Sequence, residues 1–134
     1  MTDTNISFYL KIYRIHVFVD SLRGIGCPRR ICFMISDDGN SLLISPYPKK
    51  DLKSHSIPSK TYTYKGEGGV DISSYKLCYL IARMQNWVTE RSYRIPGTVY
   101  EDKRIAIFDL LSMTRRICRS ASLFVNTGLP AEKN

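Results

Sequence analysis

The sequence predicts an α+β protein, mostly β, in which two pseudo-repeated β-α-β-β units build one barrel-like core. Three observations carry this. Residues 91–111, RSYRIPGTVYEDKRIAIFDLL, read as two strands joined by a charged turn. Tyr93, Ile95, Val99 and Tyr100 lie on one arm, Ile105, Ile107 and Leu110 on the other, and Glu101-Asp102-Lys103 between them. Residues 30–46, RICFMISDDGNSLLISP, repeat the plan with Ile31, Phe33 and Ile35, then Leu42, Leu43 and Ile44, around Asp37-Asp38-Gly39-Asn40. Each hairpin follows a helix-like segment.

The elements follow in order. Residues 6–19 are apolar on both parities, with Ile6, Phe8, Leu10 and Ile12 on one and Tyr9, Tyr13, Ile15, Val17 and Val19 on the other. That pattern predicts one long strand with both faces partly covered, bent or broken near Lys11 to Arg14. Asp20 or Ser21 then caps a short turn of helix that Gly24 and Gly26 end. In the first hairpin Asp38-Gly39 marks the turn, because glycine takes positive φ at no steric cost. Residues 47–69 hold Pro48, Pro58, five lysines and three glycines, and read as the connection between the halves. Within it, residues 60–65 alternate well enough for a strand, and residues 54–58 suit an edge piece; a structureless loop of that length is unusual in a small domain.

Val70-Asp71-Ile72 is a short strand. Ser73 or Ser74 caps the main helix, about residues 74–87, with Leu77, Leu80, Ile81, Met84 and Trp87 or Val88 on its apolar face. Lys76, Tyr79 and Arg83 recur on the opposite side. Pro96-Gly97 in the second hairpin calls for a bulge or an edge, since proline cannot donate to a ladder. Ser112 caps a short C-terminal helix with Met113, Ile117 and Ala121 on one side and Arg115, Arg116 and Arg119 on the other. Leu123 to Val125 return as a small strand, and residues 128–134 are loose.

The 134 residues suit a single domain, 1–134, divided into pseudo-repeat 1 (about 6–48), a connecting segment (49–69), pseudo-repeat 2 (about 70–111) and a tail (112–134). The net charge of +8 favours acidic partners, nucleic acid before an anionic membrane surface. Cys27, Cys32, Cys78 and Cys118 lack the two close pairs of a zinc site and read as small buried hydrophobes, so no metal or cofactor is expected. The N-terminal residues lack a signal peptide's basic region, and the longest polar-free run, 77–82, is too short to span a bilayer. A cytoplasmic protein without a membrane partner is expected.

Residues 14–26, RIHVFVDSLRGIG, place an Arg at the start of a β-rich strand and Leu22-Arg23 in the short helix after it. Residues 31–45 supply the following pair of strands, with Asp37-Asp38-Gly39 at their turn. This stretch resembles the swapped-hairpin fold of the AbrB/MazE/MraZ proteins, in which two β-α-β-β units interlock into one DNA-binding barrel. The chain departs from that family at Phe18, where a proline is usual, and at Cys27-Pro28-Arg29-Arg30, where Gly-Asp is usual. The resemblance covers about a third of the chain well and the second half only in outline.

The resemblance implies DNA contacts from the strand-to-helix region, which fall on Arg14 and Arg23. Arg29 and Arg30 follow close behind without a motif match. Arginine suits this role because its planar fork reaches phosphate or guanine with two hydrogen bonds. Arg115, Arg116 and Arg119 form a separate patch that can clamp backbone phosphate or simply face water. Lys76 and Arg83 flank Tyr79, which can stack on a base, although any amphipathic helix needs a polar face.

No catalytic residue is expected. His16 and His55 have no carboxylate at an obvious spacing in sequence, and Asp37-Asp38 and Glu101-Asp102 occupy turns, where Asp is favoured for structural reasons. Gly66-Glu67-Gly68-Gly69 lacks the Lys-Ser or Lys-Thr of a phosphate loop. Cys27 beside two arginines has no positioned base.

The expected function is therefore that of a basic, non-enzymatic DNA-binding protein, a small transcriptional regulator of swapped-hairpin type. Double-stranded DNA is the first partner, a homodimer is compatible with it, and nothing marks a small-molecule substrate. The alternative is a protein-interaction or accessory module with no nucleic-acid role, and a third is single-stranded nucleic acid or RNA held by Tyr62, Tyr64, Tyr79 and surrounding lysines.

Overall fold

The computed structural model describes residues 1–63, 68–112 and the backbone of 114–115. The chain runs β1 (Thr2–Tyr9), a 3-10 turn (Leu10–Ile12), β2 (Arg14–Phe18), α1 (Val19–Gly24), β3 (Arg30–Ile35), β4 (Ser41–Pro46) and β5 (Ser54–Ser56). A second 3-10 turn (Ser59–Tyr62), β6 (Gly69–Ser73), α2 (Tyr75–Gln85), β7 (Ser92–Tyr100), β8 (Ile105–Asp109), a third 3-10 turn (Leu110–Ser112) and β9 (Thr114–Arg115) follow. The fold is α+β and mostly β, with one main helix.

The sheet order is β5-β3-β4-β8-β7-β1-β2-β6, with β9 added to β7, and it curls into a nearly closed eight-strand barrel. The halves share one pattern of strand pairing. Exchanging β1–β4 for β5–β8 turns β3·β4 into β7·β8 and β3·β5 into β7·β1, and returns β2·β6 and β4·β8 to themselves. One pairing, β1·β2, has no counterpart among the described residues: β5 and β6 are the two ends of the path. Each half is thus β-β-α-β-β, one strand more than the β-α-β-β unit the sequence suggests.

The helices close opposite ends. α1 sits where β2 stops and β7 turns into β8. There Gly26 packs on Arg104, 3.5 Å from the place a Cβ would occupy, and Gly24 lies against Val99. The buried hydroxyls of Thr4 and Ser21 bond to each other and tie α1 to β1. α2 sits over the other end, where Ser74 Oγ accepts the N–H of Leu77 and starts the helix. Asn86 ends it in the left-handed region at φ 56°, and Gln85 Nε2 donates to the Gly39 carbonyl at 2.7 Å in the β3–β4 turn. Below α2, Trp87 stacks on Tyr93 at 4.5 Å and meets Phe8 edge-on at 5.5 Å.

Several local expectations change. Residues 6–19 are a hairpin, because Tyr13 takes φ 54° after the 3-10 turn and reverses the chain. In β8 the fully buried residues are Ala106 and Phe108, while Ile105 and Ile107 are half-buried. The side-chain period is 2, so one step of register exchanges the faces; here Phe108 fills the space beside Gly97, where a Cβ would also meet the Ile107 carbonyl at 2.6 Å. Pro96 stands between the stretch of β7 that pairs β8 (97–100) and the stretch that pairs β9 (93–94), so its missing N–H breaks no pairing on that edge. α1 has Asp20 in its first turn but no side-chain cap. Residues 59–62, partly within the expected strand at 60–65, form the second 3-10 turn.

α2 buries Cys78, Ile81 and Ala82 and leaves Leu80 and Met84 exposed, because it covers a barrel mouth along a narrow stripe; Val88, beyond its end, is exposed as well. Cys32 and Cys78 are buried, but Cys27 is exposed. The tail helix expected from Ser112 lies largely outside the described residues; Thr114 and Arg115, the two that are described, pair as strand with Tyr93 and Arg94.

Candidate nucleic-acid interface

The surface begins at the β1–β2 reversal. Leu10 is buried and anchors the 3-10 turn, which leaves Lys11, Ile12 and Tyr13 exposed. Ser74 N–H donates to the Tyr13 carbonyl at 2.9 Å, so the turn and the start of α2 are fastened together. That bond brings Tyr13 edge-on to Tyr75 at 4.7 Å, and Tyr75 stacks with Tyr79 at 5.8 Å with 18° between the rings. The three tyrosines are 44%, 58% and 49% exposed, which is enough open ring face to stack on a planar partner. They border a groove of about 290 Å³ that Lys11, Thr89 and Glu90 also line.

Cations flank the rings. Arg83 Nη1 donates to the Tyr79 hydroxyl at 2.9 Å. Lys76 follows Tyr75 on the exposed side of the helix, and Arg14 follows Tyr13 and pairs with Ser73 across the β2–β6 ladder. Arg91, exposed, enters β7 at the same end.

The other predicted arginines lie at the opposite mouth, about 13 Å along β2 at the usual rise per residue. Arg23, on α1, donates to the Tyr62 carbonyl at 3.3 Å. Arg30 Nε donates to Ser54 Oγ at 2.9 Å, and Ile57 N–H donates to the Arg29 carbonyl. Arg23 and Arg30 thus hold the 54–62 segment against the barrel; Arg23 and Arg29 are exposed and Arg30 is half-buried. Arg14, Lys76 and Arg83 come together; Arg23, Arg29 and Arg30 form a second, separate group. The side chain of Arg115, and all of Arg116 and Arg119, lie outside the described residues.

Three acids are engaged close to their own turns. Asp38 takes the Ser36 hydroxyl and the Asn40 N–H, which hold its carboxyl below the usual range. Asp51 takes the Tyr47 hydroxyl and the Lys53 N–H, with the same effect. Glu101 takes the Thr2 hydroxyl and the chain's amino group. Among the described residues, no carboxylate lies within 4.0 Å of Arg14, Lys76 or Arg83.

Tyr13, Tyr75 and Lys11 were not singled out in the sequence as binding residues. Tyr75 was within reach, since it precedes Tyr79 by four residues on the same helix. Tyr13 carries no local signal; it arrives from the other end of the chain through a turn. Among the described residues no group of His, Cys, Asp and Glu is placed to hold a metal ion, and no helix is long and apolar enough to cross a membrane. No family model, curated protein or solved structure matches the chain.

Proposed function

We propose that the protein is a non-enzymatic nucleic-acid-binding protein that holds a single-stranded segment on the α2 end of its barrel. One observation carries this: three exposed tyrosines from two distant parts of the chain share one surface with Arg14, Lys76 and Arg83, none of which has a carboxylate partner among the described residues. Open rings accept bases of any identity, and unneutralised cations hold the phosphates between them.

Duplex DNA, held as in a swapped-hairpin regulator, is the second form of this proposal and uses the α1 end. Exposed Arg29 supports it, while Arg23 and Arg30 already bond to their own chain. The protein-interaction alternative draws on Leu80 and Met84, the exposed apolar flank of α2, and on Val88 just beyond it.

Anisotropy titrations with single-stranded and duplex oligonucleotides at rising salt decide among these. Tighter single-strand binding, with log affinity falling by about 0.7 per contacted phosphate for each log unit of salt, supports the first form. A duplex preference lost in Arg29→Ala supports the second. No detectable binding of either at low salt removes the nucleic-acid proposal and leaves the apolar flank of α2 as the surface to pursue.

A further inference from the structure

On the outer face of the barrel one row of paired residues crosses four strands: Asp71 on β6, His16 on β2, Ser7 on β1 and Arg94 on β7. Beside this row lies a groove of about 640 Å³ lined by Asn5, His16, Phe18, Asp20, Arg23 and Arg94 among others. It is separate from the tyrosine surface and large enough for a metabolite-sized ligand.

Arg94 is its most unusual member. The guanidinium carbon lies 5.2 Å from the centroid of the Phe18 ring. Its Nε is buried and has no hydrogen-bond partner, and no carboxylate lies within 4.0 Å of its guanidinium, among the described residues. A cation laid on an aromatic face is held in orientation by the ring, and a planar fork with no resident acid is matched to an incoming oxyanion. The platform beneath it is braced. His16 meets Phe18 edge-on at 4.6 Å and bonds through Nδ1 to Asp71 Oδ1 at 2.8 Å. Arg23, whose Nη2 reaches the Tyr62 carbonyl, lines the same groove with a second guanidinium.

The groove also contains a carboxylate. Asp20 spends Oδ1 on the Ser21 N–H and has further acceptor capacity, and Asn5 adds an amide. An acid in a basic groove disfavours a bare anion and favours one that brings hydroxyl or amino donors. We propose that this groove binds a small phosphomonoester carrying hydroxyl groups, of the nucleotide or sugar-phosphate class, with Arg94 and Arg23 on the phosphate and Asp20 and Asn5 on the polar body. The ligand would be an effector beside the nucleic-acid surface, since both sites share the outer face of β2 through Arg14, His16 and Phe18.

The test is amide chemical-shift mapping of the full chain by NMR with adenosine monophosphate, glucose 6-phosphate, inorganic phosphate, adenosine, and an oligonucleotide with and without a 5′-phosphate. The expected result is saturable shifts at Asn5, Phe18, Asp20 and Arg94 with a phosphomonoester and none with adenosine. Arg94→Gln, folded as judged by its spectrum, weakens the binding by about tenfold, the loss of one charge-assisted hydrogen bond. Should that variant unfold, Asp20→Asn serves: it tightens inorganic phosphate and narrows the preference for the hydroxyl-bearing ligands. Inorganic phosphate binding as well as the esters, shifts confined to the tyrosine surface, saturable shifts only with the 5′-phosphorylated oligonucleotide, or no saturable shift with any phosphate would each overturn the proposal.

Discussion

Tyr13 meets Tyr75 edge to face at 4.7 Å, joining the reversal of the first hairpin to the first turn of the main helix. The contact is more than sixty residues apart in sequence, and it sets the geometry of the surface proposed to carry bases. Tyr75→Ala is expected to weaken single-strand binding by about 1–3 kcal/mol, the usual worth of a stacked base, with little effect on melting because the ring is largely exposed. Lys76→Ala should leave stacking intact and lower the salt slope by about 0.7, one phosphate contact on a single strand. Equal losses on both oligonucleotide forms for Tyr75→Ala would separate the ring from base stacking.

Gly24 and Val99 bring α1 and β7 into direct contact, with no room for a Cβ on Gly24. Gly24→Ala is expected to cost about 1–3 kcal/mol by overpacking. Val99→Ala removes the obstructing methyls, so the double variant should be more stable than the sum of the single losses by about 0.5–3 kcal/mol. Denaturant unfolding of the four proteins measures this coupling; strict additivity would place the strain elsewhere.

Trp87 stacks on Tyr93, but its buried indole N–H has no partner among the described residues. Trp87→Ala is expected to cost about 3–5 kcal/mol. Trp87→Phe should cost less than half of that, because it also removes an unpaired buried donor, itself worth about 1–3 kcal/mol. Thermal melts of the two variants compare them directly.

Stability is expected to fall at both ends of the pH scale. Burial pushes the Cys78 thiol up to about 11 and, with Cys27 as a lesser cause, the Tyr62 phenol up to about 12. Above an ordinary thiol value of 9.0 and phenol value of 10.0 the unfolded chain releases these protons while the folded chain keeps them. Stability therefore drops as pH rises through those windows, and Cys78→Ala should flatten the part between pH 9.0 and about 11. On the acid side, burial and then the Arg30 charge hold His55 below its ordinary 6.5. The unfolded chain thus gains a proton that the folded chain refuses, and stability begins to fall below pH 6.5. Asp38, Asp51 and Glu101, held low by hydrogen bonds, extend the loss at lower pH. Urea midpoints across the pH range trace both limbs.

The hairpins at β3–β4 and β7–β8 and the start of α2 were legible in the sequence because each depends on local chemistry: Asp38-Gly39 in one turn, alternating apolar residues in the arms, and Ser74 as a cap. What was hidden depends on distant partners. The reversal at Tyr13 needs an αL residue that is neither Gly nor Asn. The inward face of β8 depends on the space that Gly97 leaves for Phe108. Arg14 and Arg23 are nine residues apart and looked like one site, but β2 carries them to opposite ends of the barrel. Arg94 and Phe18, which share a groove, sit on strands separated by β1, and no spacing rule connects them.

The β1–β7 ladder joins Thr2 to Val99 and Tyr9 to Ser92. β1 therefore leaves the ribosome well before β7, the strand that satisfies its outer edge. During that interval it can pair only with β2, and its second row of backbone donors and acceptors stays open to any extended chain nearby. Contacts of such long sequence separation make folding slow for a domain of this size, so the yield of native protein should depend on how quickly the second half is synthesised.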